Sequence, residues 1–456
     1  MKRKIPFFLK AIILLTFISL IAAGYSGRTG TAVITVDFAK PDTGVKSMSG
    51  FLHGLYKNNP PDNLILPLKP KQWRFSETEP IYFERIKKSG ARAQIVLSDF
   101  WGYTGLSTNR PWAYENYPQF ENFVRELARA NKSPELIWDV WNEPEDKRLP
   151  YWKGTFEQFS ETYRRAYRVL REELGPDVMI GGPSFSRYDR ALLTKFLNYC
   201  KANGCEVNFL SWHELDESIV TSIPERLEEA RRLFVNNPEY ASLKIKEIQI
   251  NEIIGGEAQY SPGMILGHFY YLEKGKADGA NKACWEDSRG KSNCDDGKLD
   301  GLISSDTFQP RAAWWAYKTY ADGAESRVMS ATTNPNVVAL GSSQSDSANK
   351  AQVLVGFFKE SFLDSSKINV SINLNNLKNL PFAANSQSVK IKIEKIPDAG
   401  EQAVKNLDFV SEESFPLLNS SLTIKLDNVT VYEGFLITLT GVEKKHSTDL
   451  KNRNEF

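Results

Sequence analysis

The chain is poor in the residues that hold metals and cross-links. It has 4 Cys and 4 His in 456 residues. Cys200, Cys205, Cys284 and Cys294 lack the two-residue gaps of a zinc site. Asp295, Asp296, Gly297 and Asp300 likewise fail the spacing of a helix-loop-helix calcium loop. No metal or cofactor is therefore expected. The chain also lacks a surplus of either charge: 57 Lys and Arg face 56 Asp and Glu, a net +1. Binding nucleic acid needs excess positive charge to neutralise phosphates, so no nucleic-acid partner is expected. Internal repeats are missing too.

Long apolar runs are scarce. One extends from Ala11 to Ala23, after Lys2, Arg3 and Lys4 and before Gly24. A charged start, a short apolar middle and a small-residue end describe a signal peptide over residues 1–24. It directs the chain to a secreted or periplasmic location. The run is short for a membrane span, and an uncleaved N-terminal anchor is the alternative. Export permits oxidation, and locality pairs Cys200 with Cys205 and Cys284 with Cys294.

A length of 456 residues with 41% hydrophobic content predicts two or three domains. Between residues 45 and 322, short apolar runs alternate with amphipathic ones. Eight strands are expected at 50–54, 72–76, 94–99, 136–141, 178–183, 209–213, 247–252 and 282–285. Helix starts are marked by Pro80, by Thr155 with Gln158, and by Pro224, Pro262 and Pro310. Eight such alternations predict an α/β fold, a (β/α)8 TIM barrel. The first crossover, 58–70, is short and proline-rich. Beyond residue 322 the pattern changes to short alternating runs at 337–340, 352–357, 368–372, 389–393, 422–426 and 432–439. These predict an accessory antiparallel β-sandwich over 323–443, joined by 30–44 from the other end of the chain. Residues 444–456 read as a polar tail.

The fourth strand ends in Trp141-Asn142-Glu143-Pro144, and the seventh ends in Ile250-Asn251-Glu252. In such barrels chemistry sits at the carboxyl ends of the strands. Two carboxylates brought together there suit glycoside hydrolysis. One protonates the leaving oxygen; the other attacks or activates water. Burial and the neighbouring charge of Glu252 would raise the pKa of Glu143. Glu247 opens its strand at the wrong end, and Glu257 falls in the loop beyond.

Asn-Glu-Pro on strand four with Glu on strand seven resembles clan A of the glycoside hydrolases. The series Asn142-Glu143-Pro144, Tyr151-Trp152-Lys153-Gly154-Thr155, Gly181-Gly182-Pro183 and Phe209-Leu210-Ser211-Trp212-His213 is similar to glycoside hydrolase family 39, which holds β-xylosidases and α-L-iduronidases. The resemblance runs from about Phe51 to Asp322, with a weaker continuation at Ala331-Thr332-Thr333-Asn334-Pro335. It implies Glu143 as general acid/base and Glu252 as nucleophile of a retaining mechanism. It also implies Asn142 on the sugar 2-hydroxyl, Arg74 beside the nucleophile, and His213, Trp285 and His53 around the sugar. Tyr151 and Trp152 are expected to pack near the mouth. Many relatives carry Thr where this chain has Asn251, and the segment 284–301 matches no pattern of the family. The implied partner is an oligosaccharide or polysaccharide. The alternatives are a catalytically silent polysaccharide-binding protein and a transglycosylase on the same barrel.

Overall fold

The computed structural model describes residues 30–76, 80–102, 110–148, 151–294, 296–344, 349–361, 365–417 and 420–443. The expected signal segment, 1–24, and the expected tail, 444–456, lie outside the described residues. The first strand, β1 (Thr31–Pro41), leads into a closed barrel of eight parallel strands. These are β2 (Gly50–Leu52), β3 (Gln72–Phe75), β4 (Arg92–Val96), β5 (Ile137–Asp139), β6 (Met179–Phe185), β7 (Phe209–Glu214), β8 (Glu247–Ile253) and β9 (Gly279–Lys282). β9 closes on β2 with Phe51 opposite Lys282.

Local chemistry sets the helices between them. Helix Phe156–Leu174 starts where the Thr155 hydroxyl accepts the Gln158 N–H and the Gln158 side chain accepts that of Thr155. It buries Phe159, Tyr163, Ala166, Val169 and Leu170 at helical spacing. Helix Pro262–Lys274 opens on proline, capped by Ser261. Pro310 is not the first residue of a helix. It forms a β-bridge with Ile303, and the helix runs over Ala312–Gly323 instead. The eighth barrel strand lies three residues earlier than expected, because Gly279-Ala280-Asn281 carries little β-propensity yet is fully buried. Trp285 is therefore beyond the strand.

The other strands form one nine-stranded sheet in the order β15-β14-β17-β12-β11-β10-β1-β13-β16. They are β10 (Arg327–Thr332), β11 (Val337–Gln344), β12 (Lys350–Phe357), β13 (Lys367–Asn375), β14 (Ser386–Ile396), β15 (Asp408–Pro416), β16 (Ser421–Thr430) and β17 (Gly434–Glu443). Sequence patterning missed β10 and β15. The latter is an edge strand exposed along most of its length, so burial imposes no alternation on it. The accessory domain is thus the expected antiparallel one, its nine strands hydrogen-bonded in a continuous ladder. Its pairs are antiparallel except for β1 with β13.

Sulfur chemistry follows half of the expected pattern. Cys284 and Cys294 are bonded, with S–S 2.08 Å. Cys200 and Cys205 are free and buried, which corrects the expected pair. Cys200 lies in the last turn of helix Arg190–Ala202, and Gly204 turns the chain back at φ +66°. The Cys205 N–H then caps the Cys200 carbonyl at 3.1 Å, and Sγ of Cys205 points at that same oxygen, 3.6 Å away. The pair closes a helix as two small apolar groups. Proximity in sequence cannot distinguish that from a bridge.

Barrel and sheet meet along a seam where two glycines of helix Pro262–Lys274 leave no room for a side chain of their own. A Cβ on Gly263 would lie 2.2 Å from the Phe357 carbonyl oxygen, and one on Gly267 would lie 2.9 Å from the Phe358 ring. Beside the seam, Arg327 of β10 donates to Glu273 of the barrel at 2.9 Å, and Tyr320 Oη donates to the same carboxylate at 2.7 Å. Gly263→Val should therefore cost about 1–3 kcal/mol through overpacking. Calorimetry of the whole chain would show it as a lower unfolding temperature; an unchanged transition would mean that the seam is loose.

Candidate active site

Inside the barrel the side chains form polar layers. Gln72, Gln94 and Gln249 sit lowest, with Gln72 Nε2 donating to the side-chain oxygens of the other two. Arg74 and Asn251, each two residues further along its strand, belong with Asp139 to the layer above. Glu143, His213 and Glu252 lie at the carboxyl end.

The position of Glu252 depends on a register shift. Gln249 and Asn251 point inward, so strict alternation would turn Glu252 away from the axis. Opposite β7, however, Trp212 faces Ile250 while His213 faces Glu252. The extra residue, Asn251, turns Glu252 back to the barrel axis. Glu143 is placed by a turn at φ +44°, uncommon for a glutamate, with its N–H donating to the Ser184 carbonyl at 2.9 Å.

One carboxylate oxygen from each glutamate and one ring nitrogen of His213 all lie within 4.8 Å of one another. His213 Nδ1 is 2.8 Å from Glu143 Oε1 and 3.7 Å from Glu252 Oε2. The buried Arg74 donates from Nη1 to Glu252 Oε1 at 2.8 Å, from Nη2 to Asn142 Oδ1 at 2.8 Å, and from Nε to Asp139 Oδ2 at 2.9 Å. With its oxygen so engaged, the Asn142 amide presents N–H groups.

Burial sets the proton affinities. It pushes Glu143 up to about 7, and the Asp146 carboxylate adds to the effect. It holds His213 down to about 4, so the ring is neutral at pH 7. Burial also raises Glu252, opposed by His213 and Arg74. Besides an acid and a base, a cluster of two carboxylates and an imidazole is a donor set that a divalent ion could use. The Arg74 guanidinium already neutralises one of the carboxylates.

The expected residues Arg74, Asn142, Glu143, His213 and Glu252 thus converge. His53, at the end of β2, lies 3.5 Å from Asp99 and exerts an electrostatic pull on Glu252. Trp285 is half-buried against the loop that follows Glu252. Its indole donates to the Ile254 carbonyl at 2.9 Å, and its ring packs on Gly256. Glu247 is at the opposite end of the barrel, paired with Arg92, and Glu257 is exposed. Sequence reasoning missed Asp99, Asp139 and Ser184. Asp139 was readable in part, since it lies on the same strand as the Asn-Glu-Pro turn. Tyr151, read as packing, is near enough for both glutamates to disfavour its phenolate.

The raised pKa of Glu143 has a consequence for stability. In the unfolded chain its proton leaves near the usual carboxylate value; in the fold it is kept to about 7. Between those values the folded state binds more protons, so stability falls as pH rises through the window. Glu143→Gln removes that penalty. Its unfolding temperature should exceed wild type at pH 8, by roughly 2–3 kcal/mol of stability, and match it near pH 4. An equal gap at both pH values would contradict this.

Residues 91–249 match the model of glycosyl hydrolases family 39. A β-xylosidase from Caldicellulosiruptor saccharolyticus is 28% identical over 123 residues, which is 25% of this chain and 24% of that enzyme. The chain thus aligns with about a quarter of that relative's length. Among solved structures, one from Neocallimastix frontalis superposes with a TM-score of 0.71 at 23% identity, covering 90% of this chain and 100% of that one. The GH39 enzyme from Xanthomonas axonopodis pv. citri gives 0.63 at 12% identity, covering 90% and 97%. At these identities the superpositions speak for the barrel-plus-sheet fold. The matched segment contains Asn142, Glu143 and His213, and Glu252 follows it by three residues. Over residues 91–249 the chain is similar to glycosyl hydrolases family 39, and its fold is an eight-stranded parallel barrel with an accessory sheet.

Proposed function

We propose that the protein is a retaining glycoside hydrolase of β-xylosidase type. The observation that carries this is the approach of Glu143 and Glu252 at the ends of β5 and β8, with oxygens within 4.8 Å. Retaining enzymes place their carboxyl groups ~5–5.5 Å apart, whereas inverting ones leave ~6.5–9.5 Å for a water. The β-xylosidase relative supports the sugar class.

In the first step Glu252 attacks the anomeric carbon, forming a C–O bond as the glycosidic C–O bond breaks. Glu143 gives its proton to the departing oxygen. Asn142 donates to the 2-hydroxyl, a contact that strengthens as oxocarbenium character develops. His213 and His53 line the sugar, and Trp285 supports it from the side of β9. In the second step Glu143, now the base, takes a proton from water. The water attacks the anomeric carbon and Glu252 leaves. Arg74 keeps Glu252 ionised before attack and stabilises it again on departure. The substrate is an oligosaccharide or polysaccharide. The apolar N-terminal run directs export, and the Cys284–Cys294 bond suits an oxidising compartment.

Aryl β-xylosides test the roles. Glu252→Ala should lose at least ~10⁴-fold in kcat. Glu143→Ala should be reactivated by azide with release of β-xylosyl azide. In wild type, kcat/KM should fall above about pH 7 as Glu143 loses its proton. Turnover that survives either substitution would overturn the reading. Glycan binding without turnover in wild type would favour a silent binding protein.

A further inference from the structure

Below Glu252, Asn251 belongs to a buried group that the proposed reaction leaves unused. Asp139 is fully buried at the end of β5. Its Oδ2 accepts from Arg74 Nε at 2.9 Å, Asn251 Nδ2 at 3.0 Å and Ser184 Oγ at 2.8 Å, and it forms an ion pair with Arg74 Nη2 at 2.8 Å. Its Oδ1 lies 2.9 Å from the same hydroxyl. Every group against it can donate, and its orientation is fixed from three strands; burial raises its pKa, opposed by Arg74 and Ser184.

The consequence concerns Arg74. A guanidinium facing one carboxylate favours two parallel N–H···O bonds. Here Nε is bonded to Asp139, whose Oδ2 also pairs with Nη2 at 2.8 Å, and Nη2 donates to Asn142. Only Nη1 is left for Glu252, and it reaches Oε1 alone. Glu252 Oε2 receives no hydrogen bond among the described residues. The oxygen that must attack is kept out of the guanidinium's grip.

We propose that Asp139, braced by Ser184 and Asn251, is a positioning residue that restricts Arg74 to a single bond with Glu252 and so preserves the nucleophilicity of the second carboxylate oxygen. This rests on Glu252 being the nucleophile. The groups facing Glu252 are His213, Arg74 from β3, Glu143 beyond β5, His53 beyond β2 and Tyr151. Asp139→Asn alters none of them and acts through Arg74. It removes the rival anion, so that the Arg74 charge falls on Glu252 alone. That favours the Glu252 carboxylate.

The test is a pair of measurements on the full chain. Aryl β-xyloside hydrolysis by wild type and Asp139→Asn is followed across pH. The acid limb of kcat/KM should move to lower pH while kcat falls by roughly 10–100-fold and KM changes little. A role limited to holding the fold would lower activity without moving the limb. An unmoved limb, or one displaced to higher pH, overturns the proposal. If Asp139→Asn does not accumulate, Asp139→Ser carries the same test, because it removes the charge without placing an amide N–H against Arg74. Separately, wild type is treated with an aryl 2-deoxy-2-fluoro-β-xyloside and the labelled peptide sequenced. A label away from Glu252 defeats the nucleophile assignment itself. A label on Glu252 with an unmoved limb defeats only the positioning role.

Discussion

Arg74 carries one positive charge into a site where water cannot reach it, and the mouth of the barrel is organised around satisfying it. Asp139 and Glu252 share its charge, and Asn142 takes a further donor. Removing one member of such a buried pair strands the other and costs about 3–5 kcal/mol. That penalty selects one arrangement of strand ends. β3 brings the guanidinium, β5 brings Asp139 and the Asn-Glu-Pro turn, and β8 brings Glu252 through its extra residue. The two glutamates come to share one small volume. Glu143 lies beyond the reach of the three Arg74 donors, and burial keeps its proton on. Glu252 is inside that reach. Burial raises both carboxyls, and the Arg74 charge opposes that rise at each.

The sheet contributes more than a second core. Its β14–β15 connection crosses to the barrel, where Glu401 accepts hydrogen bonds from the Ser288 N–H and hydroxyl, and Arg311 donates to the Glu401 carbonyl at 2.9 Å. Val404 is bonded to Pro310 by its N–H and to Trp315 by its carbonyl. The loop held in this way contains the Cys284–Cys294 bond and, next to it, Trp285. From the other side, the Cys294 carbonyl accepts the Gly54 N–H beside His53, and the buried Lys282 donates to the Asp300 carbonyl at 2.7 Å. Disulfide, buried lysine and accessory sheet thus converge on one wall of the mouth.

Much of this was legible in the sequence because burial dictates pattern. The barrel strands were found because each is apolar over a short run, and the two glutamates because each ends such a run. Arg74, Asn142 and His213 came from motif likeness and do converge. What was hidden had specific causes. Asp139, Ser184 and Asn251 are polar side chains inside a barrel, a place where hydrophobic periodicity gives no cue. The ninth strand was misplaced because Gly279 and Asn281 look like turn residues. β15 was missed because an exposed edge carries no alternation. The Cys200–Cys205 expectation failed because closeness in sequence says nothing about whether a helix end needs a cap or a bridge.

The central claim is that two glutamates at this spacing act by double displacement. The anomeric configuration of the first product tests it most directly. Proton NMR of an aryl β-xyloside, recorded in the first minutes before mutarotation, should show β-xylose appearing ahead of the α-anomer. Initial release of α-xylose would mean a single displacement by water, and Glu252 could not be the nucleophile.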